Sequence, residues 1–279
     1  MRAAELRAFV GEVKSLGFAV RDEIEPRRAG PVVVSGVLAE QLAKELGAGA
    51  APGAVIVASN ADLPHAAAHV RIIAGDPSPE DEALVATAAR HNVEVVIVEL
   101  WPQPDWTRPF VLSPFVVECR AGEGFPVAEI SDRIVEATED APVLAAQVPV
   151  IADATRSWLV KRSVVRSAVI GFAGSRLGRS RPLLVLEQAR LVSRLRAVSS
   201  GPAVSDELPV VAGSAAAVLA SGFALRTAAR SAGAVLPSPF VNAAVAAAGT
   251  WAFARAFRLV EERSGLLERA GSEREAVAP

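Results

Sequence analysis

The feature that most constrains this chain is a long stretch with almost no charge between Leu208 and Ala254. Only Arg226 and Arg230 interrupt it, and a Leu-Pro-Ser-Pro run at residues 236–239 divides it into two segments rich in alanine. Helices this apolar must bury their surfaces in protein, in lipid or against a partner chain. The stretch therefore predicts an apolar helix pair that is buried in one of these three ways.

Whether this pair crosses a membrane depends on its length and on its small and polar residues. A span needs roughly 20 apolar residues, and residues 208–225 supply 18 without a charge. Pro209, Gly213 and Ser221 oppose insertion, and the second segment contains Pro239 and Asn242. Buried helices or a peripheral hairpin are therefore favoured over true spans, and contact of residues 208–254 with lipid stays an open alternative.

Cysteine usage and the N-terminal pattern indicate the compartment. The chain has one cysteine, Cys119, which excludes an internal disulfide and fits a reducing environment. Residues 1–20 mix charged and apolar positions at helical spacing, which is typical of an amphipathic helix and not of a signal peptide. We expect a cytoplasmic protein, with association at the inner face of the membrane as an open alternative.

The formal charge is divided unevenly between the two halves of the chain. Residues 1–155 sum to −11 and residues 156–279 to +9, which suggests two domains. Anionic lipid or nucleic acid would be attracted by the basic half, although a general preference for arginine in this chain explains much of the excess. Nucleic acid is therefore the less favoured partner. The predicted basic interaction surface comprises Arg176, Arg179, Arg181, Arg190 and Arg194.

Apolar runs rich in valine and isoleucine alternate with helical patterns in the first half of the chain. This rhythm predicts an α/β domain with a five-stranded, mostly parallel sheet flanked by helices, followed by an all-α domain. A helix broken near Pro149 is expected over residues 143–172, and a flexible basic loop over 172–182. The strands are expected at 31–35, 55–58, 69–73, 93–100 and 115–119, and the domains at 1–29 (amphipathic helix and linker), 30–140 (sheet), 141–270 (helical) and 271–279 (disordered tail).

The loop after the first strand lacks the chemistry of a phosphate-binding loop. Such a loop needs several glycines, a lysine and a serine or threonine. Here Ser35-Gly36 leads directly into a helix with Glu40 in its first turn, where a carboxylate repels phosphate. The sequence thus argues against nucleoside triphosphate hydrolysis. Ser35 also lacks the small flanking residues of a hydrolase nucleophile, so we expect it to cap the following helix.

Neither the histidines nor the cysteine follows a diagnostic spacing. His65 and His69 are four residues apart, as two metal ligands on one helix would be, but no acidic or cysteine ligand accompanies them. Cys119 ends an apolar run, which is typical of an inert core thiol. We therefore assign no catalytic residue, no metal ligand and no cofactor.

Topology alone points to one ligand cleft. Open α/β sheets bind ligands at the carboxyl ends of their strands, and six residues are expected near that edge. They are Ser35, Gly36, Asn60, Glu99, Gly122 and Gly124.

The C-terminal part, residues 140–262, resembles the domain of unknown function 697, a helical domain found attached to or near small GTPases. The resemblance rests on residues 184–192 (LVLEQARLV), 224–230 (ALRTAAR) and 241–250 (VNAAVAAAGT), together with the apolar helix between them. The sheet domain is similar to a degenerate GTPase, with residues 94–100 at the place of the base-recognition strand and 119–125 at that of the last guanine loop. It departs from a GTPase at each diagnostic motif, since Gly-Lys-Ser/Thr, Asp-x-x-Gly and Asn-Lys-x-Asp do not occur. The resemblance implies ancestry or partnership with GTPases, without hydrolysis.

Two classes of function follow from these observations. The first is a non-catalytic scaffold or regulator that is associated with a small GTPase or another protein partner, or with itself, at the membrane face. The alternative is a small-ligand-binding protein or an enzyme that uses the carboxyl edge of the sheet.

Overall fold

A computed structural model describes residues 29–57, 64–102, 113–177, 180–200 and 238–277 of the chain. The amphipathic pattern of residues 1–20, Asn60 and the first member of the apolar pair, residues 208–225, lie outside the described residues. The predictions made for them stay predictions.

The described N-terminal half contains the expected five-stranded sheet, and all of its strands are parallel. The spatial order is β2-β1-β3-β4-β5. Each strand coincides with one of the predicted apolar runs, so the α/β prediction is confirmed. The strands are β1 (Val32–Gly36), β2 (Val55–Val57), β3 (Ala68–Ala74), β4 (Val95–Leu100) and β5 (Phe115–Cys119).

Three helices flank the sheet. Helix α1 (Ala39–Leu46) connects β1 to β2, α2 (Pro79–Arg90) connects β3 to β4, and α3 (Val127–Ala137) follows β5. The chain moves from β1 toward one edge and from β3 toward the other. Because parallel crossovers are right-handed, α1 and α2 lie on opposite faces of the sheet.

Burial on both faces explains why these strands are continuous apolar runs. All six residues of β4 are buried, as are the first four of β1. A strand covered by helices on both sides has no solvent-facing positions, so it lacks the alternation of polar and apolar residues seen in half-exposed strands. On the α2 face, Ile73, Val95 and Ile97 of the sheet pack with Leu84 and Ala88 of the helix.

The second half of the described chain is helical. As predicted, the helical pattern breaks at Pro149, where a short 3₁₀ turn (Pro149–Ile151) follows α4 (Ala141–Gln147). The flexible loop predicted over residues 172–182 is wrong, because α5 (Ala152–Leu177) extends to Leu177 and α6 (Ser180–Ser200) begins at Ser180. Helix α7 (Ser238–Val277) begins within the Leu-Pro-Ser-Pro run and continues through residues 271–277, the segment expected to be a tail.

Glycine near the end of α5 serves helix packing. A Cβ atom at Gly171 would lie 2.6 Å from the carbonyl oxygen of Asn242 in α7 and 3.0 Å from the Cβ of Ala246. One turn away, the Thr250 hydroxyl donates to the Ser167 hydroxyl at 2.9 Å. Small residues let the two helix backbones approach closely, so the glycines at this end of α5 do not indicate a loop.

Contacts divide the chain into two compact units, one with the sheet and one of helices. Within the described residues the sheet unit comprises 29–158 and 195–200, and the helical unit 159–194 and 238–277. Helix α4 therefore belongs to the sheet unit, where the Ala51 amide donates to the Gln147 carbonyl at 2.8 Å. None of the described helices is long and apolar enough to cross a bilayer.

Candidate functional site

The strand order defines a topological switch point between β1 and β3. The chain leaves these two neighbouring strands in opposite directions, and ligands of open α/β sheets bind in the crevice that this creates at the carboxyl ends. Ser35 of β1 and Arg71 of β3 are register partners at this point. The residues around them are therefore the first candidates for a functional site.

Four polar side chains meet on the α2 face of the sheet and form what we term the switch-point cluster: Ser35, His69, Arg71 and Asp81. The Ser35 Oγ lies 2.7 Å from the Nε2 of His69. The Arg71 Nη1 donates to the same Oγ at 3.4 Å, and its Nε donates to the Asp81 Oδ1 at 2.7 Å. His69 and Arg71 are two residues apart on one strand, so they project to the same face.

Helix α2 brings Asp81 into the cluster through its N-terminal cap. The Ser78 amide and hydroxyl donate to the Asp81 Oδ2 at 2.8 and 2.7 Å, and the Asp81 amide donates to the Ser78 Oγ at 3.3 Å. This is a capping box, here with aspartate at its third helical position. Burial alone would raise the pKa of Asp81, but the hydrogen bonds from Ser78 and Arg71 outweigh it and hold the pKa below its usual value.

His69 is the most deeply buried member of the cluster, with no exposed surface. Burial, and then the charge of Arg71, lower the pKa of His69 to about 4. The ring is therefore neutral at pH 7, and its Nδ1 has no hydrogen-bond partner among the described residues. A serine hydroxyl beside an imidazole resembles a nucleophile and its base, but a base of this pKa takes up a proton poorly at neutral pH.

Ser35 is equally unsuited to attack a substrate, because only 8% of its surface is exposed. Its expected role as a helix cap is also wrong. Helix α1 is preceded by Leu38, and no side chain caps its N-terminus, because the Ser35 hydroxyl is directed to His69 instead. The cluster links β1, β3 and α2 by hydrogen bonds, which makes it a structural element of the switch point.

The low pKa of His69 gives a measurable expectation. The unfolded chain binds a proton at His69 near pH 6.5 and the folded chain only near pH 4, so the His69 contribution to stability is complete above pH 6.5 and is lost as the pH falls toward 4. We expect one of the three imidazole resonances in an NMR titration to keep its neutral shift down to about pH 4. That resonance should be the one missing in His69→Gln. A midpoint near 6.5 for it would contradict the buried position of His69.

The end of β1 packs directly against the backbone of β3. A Cβ atom at Gly36 would lie only 2.0 Å from the carbonyl oxygen of Ile72, and the Val37 amide donates to that oxygen at 3.3 Å. The turn into α1 contains only Val37 and Leu38, and Leu38 adopts a left-handed φ of 57°. A turn of two residues is too short to form the glycine-rich loop that surrounds a phosphate.

Large apolar side chains occupy the same edge of the sheet. Val37, Leu38 and Val57 are 48%, 47% and 50% exposed, and Trp101, directly after β4, is 48% exposed. Trp101 also has a positive φ, of 53°. Left-handed backbone at bulky residues costs free energy and is concentrated where function requires it. We refer to Val37, Leu38, Val57 and Trp101 as the apolar edge.

The six residues of the predicted cleft do not form one constellation among the described residues. Ser35 and Gly36 end β1, whereas Glu99 is buried in β4. Gly122 and Gly124 lie in the loop after β5, which is three strand spacings, or roughly 14 Å, from β1. Asn60 is outside the described residues. The carboxyl edge predicted from topology is real, but its polar groups are dispersed along it.

The remaining candidates from the sequence are the pair His65 and His69, and the single cysteine. His65 lies in an exposed 3₁₀ turn and His69 in β3, and no group of three or more potential metal ligands occurs in the described part of the chain. Cys119 is buried, and burial together with Glu123 and Glu45 raises the pKa of its thiol. A thiol that stays protonated is a poor nucleophile.

In the helical unit, four arginines converge on a groove between α5 and α6. Arg190 and Arg194, predicted as part of a basic surface, line this groove with Arg162 and Arg166 of α5. The side chains of Arg176, Arg179 and Arg181 lie outside the described residues. Arg162 and Arg166 were not predicted from the sequence, although their spacing of four residues places both side chains on one face of a helix.

Comparisons of this chain with protein-family models, with curated proteins and with solved structures returned no match. The resemblance to the domain of unknown function 697 stays a prediction.

Proposed function

We propose that the protein is a non-catalytic scaffold or regulator that contacts a protein partner through the apolar edge of its sheet unit. The proposal extends to a small GTPase as one such partner and to peripheral contact of the helical unit with a membrane. In this proposal the sheet unit has the fold of a nucleotide-binding enzyme but lacks the phosphate-binding site.

The short turn between β1 and α1 is the observation that carries this proposal. Bound phosphate needs an open loop with several amides directed at it, and favours a helix N-terminus without carboxylates. At this position Gly36 contacts Ile72, the turn has two residues, and Glu40 lies in the first turn of α1. Each of these features disfavours a bound nucleotide.

Apolar surface at the same edge supports protein contact in place of ligand binding. Interface centres are enriched in aromatic and aliphatic side chains, and the apolar edge presents one tryptophan among three aliphatic residues. Leu38 and Trp101 both adopt positive φ values, a conformation that costs free energy and often occurs at functional positions.

Two measurements on the full chain test the proposal. Titration calorimetry with magnesium and GDP, GTP or ATP should give no binding at ligand concentrations up to about 1 mM. Proximity labelling in the native host should then compare the wild type with the double variant Val37→Asp/Leu38→Asp. We expect the double variant to lose a defined partner, because two carboxylates at the centre of an interface cost several kcal/mol when desolvated.

Ala83→Asp/Ala86→Asp is the matched control, since it places the same two charges on exposed positions of α2. The partner should be retained in this variant. Tight nucleotide binding by the wild type, or an identical partner set in all three proteins, would overturn the proposal.

A further inference from the structure

Among the described residues, the outward side of α5 carries large apolar side chains that are exposed. Val165 and Val169 are each 62% exposed and Phe172 is 38% exposed. Their spacings of four and three residues align them along one stripe of the helix. Phe240 of α7, which is 66% exposed, packs edge-to-face on Phe172 with ring centroids 5.5 Å apart. The stripe is thus a contiguous surface shared by two helices.

Basic residues border this stripe directly. On α5, Arg162 precedes Val165 by three residues and Arg166 precedes Val169 by three, so each arginine lies beside an exposed valine. Lys161 is exposed on the same helix. We define the basic–apolar face as Lys161, Arg162, Val165, Arg166, Val169 and Phe172 of α5, Arg190 and Arg194 of α6, and Phe240 of α7.

The arginines of this face are held together against their mutual repulsion. Of the groove-lining residues, only Glu187 is acidic, so four guanidinium groups and one carboxylate give a formal charge of +3. Glu187 accepts a hydrogen bond from the Ser163 hydroxyl at 3.1 Å and lies 3.9 Å from Arg166. Burial, and then Arg166 and Arg194, lower the pKa of Arg162. A shared anion would relieve this repulsion.

We propose that the basic–apolar face docks on an anionic membrane surface, with its arginines on lipid phosphate groups and its valines and phenylalanines in the interfacial layer. This combination of a basic row beside an apolar row is what an interfacial helix presents to a bilayer. A nucleic acid would use the arginines and leave the valine stripe in water. The groove between the helices admits no more than a water molecule, so the phosphates are bound on the surface.

This inference rests on the membrane contact proposed above and names the surface that makes it. It is separate from the apolar edge of the sheet unit. A failure here therefore leaves the protein contact of that edge standing, and a loss of the protein partner leaves the lipid contact standing.

Vesicle cosedimentation of the purified full chain tests the inference. We expect binding to vesicles of phosphatidylcholine with phosphatidylserine, weaker binding to phosphatidylcholine alone, and a decline as salt is added. Arg162→Gln/Arg166→Gln should lower the partition coefficient about 30-fold, on the basis of about 1 kcal/mol for each basic residue at such a surface. Val165→Ser/Val169→Ser should lower it on both vesicle types, because it removes apolar contact without changing charge.

Arg90→Gln/Arg120→Gln is the control, since it removes two exposed arginines from the sheet unit. It should bind vesicles as the wild type does, and circular dichroism should give the same helix content for all variants. Wild-type binding that survives both α5 variants would assign the membrane contact to another part of the chain and overturn the inference. Absence of vesicle binding, or binding of a duplex DNA or RNA oligomer that the arginine variant loses and the valine variant keeps, would overturn it as well.

Discussion

Replacing Gly36 by alanine is expected to disrupt the sheet unit, with a loss of about 4 kcal/mol or more in its free energy of unfolding. The new Cβ atom would lie 2.0 Å from the Ile72 carbonyl oxygen, an impossible separation for two non-bonded atoms. Since this oxygen belongs to the backbone of a central strand, it cannot turn away as a flexible side chain can. Hydrogen exchange with mass spectrometry should show loss of amide protection across β1 and β3.

Gly75→Ala separates this steric effect from the cost of the backbone conformation. Gly75 has a φ of 97°, close to the 100° of Gly36, but its Cβ would meet no atom within 4 Å. The strained φ alone costs about 1–3 kcal/mol, so Gly75→Ala should weaken protection only modestly. Equal effects of the two substitutions would mean that β1 and β3 are not in contact at Gly36, and the tight turn after β1 would no longer support the proposed function.

The strands could be predicted from the sequence because strands that are buried on two faces appear in it as continuous apolar runs. A run such as Val32-Val33-Val34 has no solvent-facing position, and a proline and a glycine mark its ends. The order of the strands in the sheet has no comparable pattern in the sequence. It depends on the direction in which each crossover leaves its strand, and neither α1 nor α2 encodes this in its own pattern.

The switch-point cluster was missed because it depends on register. His69 and Arg71 are two residues apart on one face of β3. They lie beside Ser35 only because β3 pairs with β1, and Ser35 is 34 and 36 residues earlier in the chain. Considered alone, Ser35 before a helix indicates a cap. Long-range pairing overrides this local interpretation.

The wrong loop over residues 172–182 has a different cause. Glycine disfavours a helix by about 1 kcal/mol relative to alanine, which made a glycine-containing basic segment look like a break. Close packing against Asn242 and Ala246 of α7 compensates for this cost at Gly171. This contact lies one residue before the predicted loop, and it shows that a glycine in α5 is compatible with a helix that continues to Leu177.

The ion pair between Arg71 and Asp81 should be the strongest polar contribution to the switch-point cluster. Its atoms are 2.7 Å apart, and the side chains are only 21% and 7% exposed. Arg71→Met leaves the Asp81 carboxylate buried with hydrogen bonds from Ser78 alone. We expect a loss of about 3 kcal/mol in the free energy of unfolding of the sheet unit, because an unpaired buried charge keeps its full desolvation cost.

A double-mutant cycle and its pH dependence distinguish this cause from lost packing. Arg71→Met/Asp81→Asn removes both charges and should be more stable than Arg71→Met alone, as measured by urea unfolding with hydrogen-exchange readout. In wild-type protein the depressed pKa of Asp81 adds stability above the usual aspartate pKa, and this stability is lost as the pH falls through the folded value. In Arg71→Met both contributions of Arg71 to this depression are removed, so the pKa of Asp81 should rise and the difference in stability between wild type and variant should narrow in acid. Additive losses in the cycle, with no narrowing in acid, would mean that the Arg71 side chain contributes by packing and not by its charge.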